Sequence, residues 1–116
     1  MRNVLANDRI SNEAMKAMAE FHSGIVAEVE AAVAAESWVI VGMAQNPFVK
    51  KARESLSRRE IKFRYLEYGS YFSKWKERLA IKLWSGWPTF PMVFHKGRFL
   101  GGAQELTRYL EENKHQ

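Results

Sequence analysis

The chain has 116 residues, 47% hydrophobic and 13% aromatic, which is enough apolar surface to bury the core of one domain. It contains no cysteine, which excludes disulfides, thiolate nucleophiles and thiolate metal ligands. The net charge of +5 is modest, and charged residues throughout the first twenty positions exclude an uninterrupted apolar secretion signal, so we expect a cytoplasmic protein that makes no membrane contact.

The first third of the chain predicts helix. Ser11 is a good N-cap, and apolar residues follow it at helical spacing. These residues are Ala14, Met18, Phe21 and Ile25. Ser23-Gly24 interrupts the pattern before Val26, Val29, Ala32 and Val33 resume it, so either two helices or one kinked helix covers 11–35. We interpret the stripe as core; the alternative is a homodimer contact through the N-terminal helix, because a small domain has limited surface on which to bury it.

A strand, a helix and a second strand are expected next. The continuous apolar run 38–43 predicts a strand that is buried on both faces. Asn46 is a good N-cap and Pro47 a good first residue for a helix that ends near Arg59. One face of that helix is marked by Phe48, Ala52 and Leu56. The alternating segment 61–67 predicts a half-buried strand, and hence a parallel crossover.

The last part of the chain predicts a helix, a hairpin and a helix. One side of the first helix carries the large apolar residues Phe72, Trp75, Leu79 and Leu83. Gly86 and Pro88 mark the end of this helix. Segments 92–94 and 99–100 flank a glycine-containing turn, as in an antiparallel hairpin. From Ala103 onward, Leu106, Tyr109 and Leu110 define a final amphipathic helix, and 111–116 reads as a frayed tail.

This order of elements, together with three local motifs, resembles the glutaredoxin branch of the thioredoxin fold. Residues 46–49, Asn-Pro-Phe-Val, stand where glutaredoxins carry Cys-Pro-Tyr-Cys or Cys-Gly-Phe-Ser. The segment 87–91, Trp-Pro-Thr-Phe-Pro, is similar to the part of single-cysteine glutaredoxins that ends in a cis-proline, and 97–102 is similar to their Gly-x-x-x-Gly-Gly. The resemblance covers about 25–112. It implies an α/β thioredoxin-like fold, a small mixed sheet flanked by helices, with 1–24 as an N-terminal helical extension and 25–116 as the glutaredoxin-like domain.

The resemblance also implies that no catalytic residue remains. Asn46 occupies the position of the family's nucleophile, and Val49 the second position of the motif. A neutral amide caps a helix or hydrogen-bonds a ligand, but it neither attacks a disulfide nor ligates an iron-sulfur cluster as a thiolate does. His22, His95 and His115 show no ligand spacing, so we expect no metal or iron-sulfur site from this chain alone.

A glutathione-binding groove is the other implication of the resemblance. Phe90, beside the expected cis-proline Pro91, would offer its backbone to the cysteinyl part of glutathione. Gly102 and the next two N–H groups would face the γ-glutamyl carboxylate, and Lys82 the glycyl carboxylate. The implied ligand-binding residues are Asn46, Phe48, Lys82, Phe90, Pro91, Gly102, Ala103 and Gln104. Two charged anchors are absent, because Met43 replaces a lysine of the family and Gln104 an acidic residue.

Simpler interpretations of the same residues stay open. Asn46 also serves as a plain N-cap, Lys82 as a solvated lysine and Trp87 as a packing group, and turn geometry by itself requires the proline and glycines. The basic stretch 50–64 reads as a solvated helix face rather than a nucleic-acid footprint, because no recognition motif accompanies it.

Three functions follow from these observations. The first is a glutaredoxin-like pseudoenzyme in cell redox homeostasis, whose groove holds glutathione, another small anion or a peptide segment of a partner protein, without thiol-disulfide oxidoreductase activity. The second is a glutathione-dependent transferase-type enzyme, in which Asn46 and the helix N-terminus stabilise the thiolate of the ligand. The third is a basic anion or nucleic-acid binder, whose affinity would fall steeply with salt.

Overall fold

The computed structural model describes residues 5–113 as a four-stranded mixed sheet with helices on both faces. The strands are β1 (Trp38–Gly42), β2 (Arg64–Glu67), β3 (Met92–His95) and β4 (Arg98–Gly101). The helices are α1 (Asn12–Glu20), α2 (Ser23–Ala35), α3 (Pro47–Arg58), α4 (Trp75–Ser85) and α5 (Ala103–Glu112), and a 3-10 turn covers Asn7–Arg9. The sheet order is β2-β1-β3-β4, with β1 parallel to β2 and antiparallel to β3. The predicted α/β class, mixed sheet and crossover are confirmed.

Strand β1 is the centre of the domain. Val39 and Val41 point to one face, where they pack with residues of α2 and α4. Ile40 points to the other face and packs with residues of α3 and α5. All three side chains are fully buried, which confirms the strand predicted to be covered on both sides. Each such side chain contributes about 1.5 to 3 kcal/mol through burial.

The register of the strands brings four chain segments to one edge of the sheet. Val41 pairs with Met92, so the end of β1 lies beside the start of β3. Gly42 pairs with Glu67 at the end of β2, and Val93 pairs with Gly101 at the end of β4. The loops that follow β1, β2 and β4, and the loop that precedes β3, therefore meet at this edge. The motifs at 46–49, 87–91 and 101–102 lie in these loops or at the helix and strand ends that border them.

The N-terminal stripe is divided between two separate helices. They are separated at Phe21 and His22, where His22 adopts a left-handed conformation with φ of 45°, just before the predicted break. In α2, the prediction of a core face is confirmed by the burial of Val29 and Ala32. In α1 the core interpretation is wrong, because no residue is buried and Met18 is 64% exposed. Helical periodicity identifies an apolar face, but it does not show that another element covers it.

Helix α4 has the opposite orientation to the one predicted. The predicted inward residues Phe72, Trp75, Leu79 and Leu83 are all exposed, whereas Arg78, Ala80 and Ile81 face the interior and Trp84 is half-buried against the core. The helix packs chiefly against α2, and the small, buried Ala80 permits close packing there. Arg78 donates hydrogen bonds to the backbone oxygens of Tyr68, at 3.0 Å, and Ser73. This guanidinium therefore closes the loop between β2 and α4.

Two further differences concern α3 and β2. Phe48 is 62% exposed, and Val49 takes its place on the buried face beside Ala52 and Leu56. The predicted strand 61–67 is shorter, since pairing with β1 begins at Arg64. The hairpin of β3 and β4 and the apolar face of α5 are confirmed, and the hairpin turn is Lys96-Gly97, both with positive φ.

Replacing Arg78 with alanine tests whether this buried side chain holds the β2–α4 loop. Arg78→Ala leaves two backbone oxygens without their donor, so we expect the free energy of unfolding to fall by about 2 to 3 kcal/mol. Urea unfolding followed by circular dichroism measures it. Arg58→Ala is the matched control, because Arg58 makes only an exposed ion pair, and it should cost less than about 0.5 kcal/mol. Equal losses in the two variants would contradict the assignment.

Candidate functional site

Two of the four converging segments, the loop before β3 and the loop after β4, are in direct contact at the sheet edge. The Phe90–Pro91 peptide bond is cis, as the family resemblance implied. A Cβ atom placed on Gly102 would lie 3.5 Å from the backbone oxygen of Pro91 and 3.7 Å from Nε1 of Trp87. These are ordinary van der Waals distances, so the start of α5 packs against the loop before β3. This contact places Trp87, Pro91 and Gly102 in one cluster. Glycine is required at Gly101, where φ is 115° and a Cβ would lie 2.7 Å from Cγ of Glu105.

Asn46 caps helix α3. Its Oδ1 atom accepts hydrogen bonds from the backbone N–H groups of Phe48, at 2.9 Å, and Val49, at 3.1 Å. These are two of the N–H groups that a helix leaves without an internal partner, and they are the groups that would stabilise an anion there. The side-chain oxygen satisfies them instead. The amide nitrogen of Asn46 is then the part of this side chain that is left to donate to a ligand.

The half-buried Asn46 lines a cavity of about 480 Å³ between α3 and the β1–β2 edge. In it, the guanidinium of Arg53 lies 4.0 Å from the centre of the Tyr65 ring. The Tyr65 hydroxyl donates to Oε1 of Glu67 at 2.9 Å. Burial, reinforced by Glu67, raises the pKa of Tyr65 well above its ordinary value, so the hydroxyl remains a donor. Sequence reasoning missed these three residues, although the i, i+2 spacing of Tyr65 and Glu67 places both on one face of a strand.

Lys82 and Phe90, which were expected to bind the same ligand, are neighbours. The Nζ atom of Lys82 lies 5.6 Å from the centre of the Phe90 ring, within cation-π range. Phe90 itself is only 5% exposed, because its ring belongs to the core cluster on the α2 and α4 face of the sheet. Lys82 also lines the larger cavity, of about 960 Å³, which lies between α4 and the first two helices. Trp84 and Trp87 contribute to the wall of this cavity.

The start of α5 is occupied by a side chain of its own helix. The N–H of Gly102 donates to Oε1 of Glu105 at 2.8 Å. Ala103 is buried, and Gln104 is exposed. A ligand carboxylate that approached this helix terminus would therefore meet the negative charge of Glu105. The backbone N–H groups expected to bind the γ-glutamyl carboxylate are present at the start of α5, but the carboxylate of Glu105 already lies beside them.

The predicted site residues thus fall into two groups. Lys82, Phe90, Pro91 and Gly102 form the cluster beside β3 and α5, whereas Asn46 belongs to the cavity beside β2. Neither of the two cavities includes Phe90, Pro91 or Gly102. Within residues 5–113, the one buried side-chain nitrogen or oxygen without a hydrogen-bond partner is Nε1 of Trp87. This indole N–H, which sequence reasoning assigned to packing, is therefore a further donor in the cluster.

The described residues do not fit an iron-sulfur cluster or a metal ion. The sequence contains no cysteine, and no group of three or more His, Asp or Glu side chains comes together in the part of the chain that the structure describes. His95 hydrogen-bonds the Ser37 backbone oxygen at 3.0 Å and stacks on Trp38. His22 lies 3.8 Å from Glu77, and His115 falls outside the described residues.

The basic stretch 50–64 lies on the surface. Its lysine and arginine side chains are all exposed. Glu54 lies 4.0 Å from Lys50 and 3.4 Å from Arg58, which neutralises part of the charge. This arrangement agrees with the solvated helix face expected from the sequence. No helix among residues 5–113 has the length and apolar character needed to span a bilayer.

Comparison with known proteins gives a consistent result. The chain is 45% identical over 92 residues to a glutaredoxin-like protein of Dictyostelium discoideum, covering 79% of this chain and 75% of the relative. Its fold is similar to a crystal structure of wheat glutaredoxin, with a TM-score of 0.69, 20% identity, and coverage of 80% and 86% of the two chains. It is also similar to buckwheat glutaredoxin in complex with glutathione, with a TM-score of 0.68, 15% identity, and coverage of 79% and 84%. No family model matches the sequence.

The capping role of Asn46 is testable by substitution. Asn46→Ala removes the acceptor of two backbone N–H groups, so we expect the free energy of unfolding to fall by about 1 kcal/mol. Asn46→Asp keeps an acceptor and should restore most of this loss. Urea unfolding measures both variants, with Lys51→Ala on the exposed face of the same helix as the control. An alanine variant as stable as the original protein would show that the cap contributes nothing.

Proposed function

The chain belongs to the glutaredoxin-like proteins, and we propose that it binds glutathione or an extended peptide at this sheet edge without catalysing thiol-disulfide exchange. The observation that carries the proposal is the position of Asn46. It stands at the N-terminus of α3, where the family has its nucleophile, and its Oδ1 atom accepts the two N–H groups of that terminus. The site keeps its backbone geometry while its chemistry has changed.

The loss of redox chemistry follows from what exchange requires. A thiolate must attack one sulfur of a disulfide, which forms a mixed disulfide and releases the other sulfur as a thiolate. The sequence supplies no sulfur other than methionine thioethers, which cannot carry out this step. The protein thus lacks the attacking group, whichever ligand it holds. A role in redox homeostasis would then be exerted through binding rather than catalysis.

The cluster beside β3 favours an extended ligand that is held largely through its backbone. We infer that the backbone beside cis-Pro91 pairs with the ligand as a strand edge would, and that Lys82, 5.6 Å from the centre of the Phe90 ring, offers one positive charge. The buckwheat relative of similar fold binds glutathione, which supports this ligand class. Glu105 at Gly102, and the replacement of the family's lysine by buried Met43, each disfavour a ligand carboxylate. We infer weak glutathione binding, and a peptide is the alternative occupant.

The other functions are less well supported. A transferase would use the N–H groups of α3 to stabilise a ligand thiolate, but Asn46 already accepts from two of them. No contact of the basic stretch favours nucleic acid. Cytoplasmic location, the division of the chain at residue 24 and a homodimer through the N-terminal helix stay predictions.

Glutathione titration tests the proposed ligand. We expect saturable chemical-shift changes at Phe90, Gly102 and Gln104 in ¹⁵N spectra. Removing the competing carboxylate with Glu105→Gln should strengthen binding, and Lys82→Ala should weaken it, each by about tenfold for one charge-assisted contact. Lys51→Ala is the control for a general effect of net charge. No shift change at any of these residues at about 10 mM glutathione would overturn glutathione binding.

A restored thiol tests the geometry of the site. Asn46→Cys should give a thiol with a pKa below the ordinary value of about 8.5, because the N–H groups of Phe48 and Val49 would stabilise the thiolate. Its rate of mixed-disulfide formation with oxidised glutathione, measured by mass spectrometry, should exceed that of Ser57→Cys near the other end of α3. Adding Lys82→Ala should slow mixed-disulfide formation in the Asn46→Cys variant and leave the rate of the Ser57→Cys variant unchanged.

The unmodified protein is the reference for this experiment. It should show no turnover in hydroxyethyl disulfide reduction with glutathione. Turnover above a buffer control would refute the non-enzymatic assignment. Equal rates for the two cysteine variants would show that the sheet edge does not orient glutathione.

A further inference from the structure

An apolar stripe runs along the outer face of α4. Leu83 is 66% exposed, Trp75 59% and Leu79 37%, and Phe72 just before the helix is 94% exposed. The three helical residues are spaced i, i+4 and i+8, so they form one ridge of about 12 Å. Scattered apolar side chains are ordinary on a surface, but a continuous ridge of this kind indicates a contact with another molecule.

Positive charge borders the stripe on both sides. Lys76 follows Trp75, Lys82 precedes Leu83, and helical geometry places them on opposite flanks of the ridge. The single acidic residue of the segment 71–83 is Glu77. Its side chain is 24% exposed and lies 3.8 Å from His22, at the start of α2. Glu77 is therefore turned toward the body of the protein, and the flanks of the stripe carry lysine alone.

We propose that this stripe binds an amphipathic helix of a partner protein whose own apolar ridge is bordered by acidic residues. Ridges of i, i+4 spacing on two helices interdigitate, and opposite charges along their borders select the partner. A helix with glutamate or aspartate beside its apolar residues would place those carboxylates next to Lys76 and Lys82. The surface is distinct from the cluster at Pro91 and Gly102, and it shares only Lys82 with it.

A second copy of the chain fits this surface less well. Two α4 stripes facing each other would bring lysine against lysine, which is repulsive. The α1 helix has exposed Met15 and Met18, but helical geometry places its glutamates, Glu13 and Glu20, on the opposite face. Packing α1 on the stripe would therefore leave the lysines without acidic partners. Charge complementarity favours a different protein.

A designed peptide tests the proposal with the full chain. The probe is a helical peptide of about 15 residues, with leucines at i, i+4 and i+8 bordered by glutamates, and its twin carries lysines in place of the glutamates. We expect the first peptide to shift ¹⁵N signals at Trp75, Leu79 and Leu83 and to quench or shift tryptophan fluorescence. The lysine twin should bind at least about tenfold more weakly.

Two surface variants locate the effect. Leu79→Ser and Lys76→Glu should each weaken binding of the glutamate peptide by about tenfold, and Lys51→Glu on α3 is the matched charge control, which should not. Circular dichroism establishes that each variant is folded. Neither Leu79 nor Lys76 belongs to the glutathione cluster, so the glutathione titration should be unchanged in both. Failure of this surface is thus distinguishable from failure of the proposed function.

Other occupants give different results, and each would overturn the proposal. Equal affinity for the two peptides, or binding insensitive to Lys76→Glu, would show that charge does not select the partner. Sedimentation with phosphatidylserine-phosphatidylcholine vesicles that Leu79→Ser abolishes, without peptide binding, would assign the stripe to a membrane surface. A concentration-dependent dimer in analytical ultracentrifugation that Leu79→Ser dissociates would assign it to a second copy.

Discussion

Burial of β1 on both faces is the constraint on which the rest of the structure depends. Val39 and Val41 anchor α2 and α4, and Ile40 anchors α3 and α5, so one strand of five residues holds both layers of helices. Since β3 and β2 pair with the same strand, its end fixes where the loop before β3 and the loop after β2 lie. The candidate site is built from these loops. Its geometry therefore follows from packing and does not require the side chains that carry out redox chemistry.

Both helices that begin at the site have an internal acceptor at their N-terminus. Asn46 accepts N–H groups at the start of α3, and Glu105 accepts the N–H of Gly102 at the start of α5. Free N–H groups at such positions are what attract a thiolate or a carboxylate. Where oxygen atoms of the protein already accept hydrogen bonds from these N–H groups, the groups contribute less to the binding free energy of an anionic ligand. The site is therefore better suited to a ligand held by its backbone and by apolar contact than to one held by its charges.

The sequence predicts the elements whose residues have one possible environment. The run 38–43 is apolar throughout, which favours burial on both faces, and Asn46-Pro47 supplies the preferred N-cap and first residue of a helix. It fails at α1 and α4, whose apolar faces stay exposed, although Met18 and Leu83 line one cavity. On α4, Arg78 faces inward because it donates hydrogen bonds to the β2–α4 loop, and Ala80 faces inward where the helix packs against α2. The relation of Arg53, Tyr65 and Glu67 depends on the packing of α3 on β2, which periodicity does not contain.

The residues that α4 exposes, contrary to the prediction, have a physical explanation. Had Trp75, Leu79 and Leu83 packed inward, their burial would have stabilised the domain by several kcal/mol on the scale of about 1.5 to 3 kcal/mol for each large side chain. The fold places Ala80, Ile81 and half-buried Trp84 on the inward side instead, and leaves Trp75, Leu79 and Leu83 in water beside two lysines. Stability of the isolated domain does not account for that choice of residues. Association with a partner does, because the same apolar area is then removed from water at the moment of binding, and the lysines decide which helix is able to remove it.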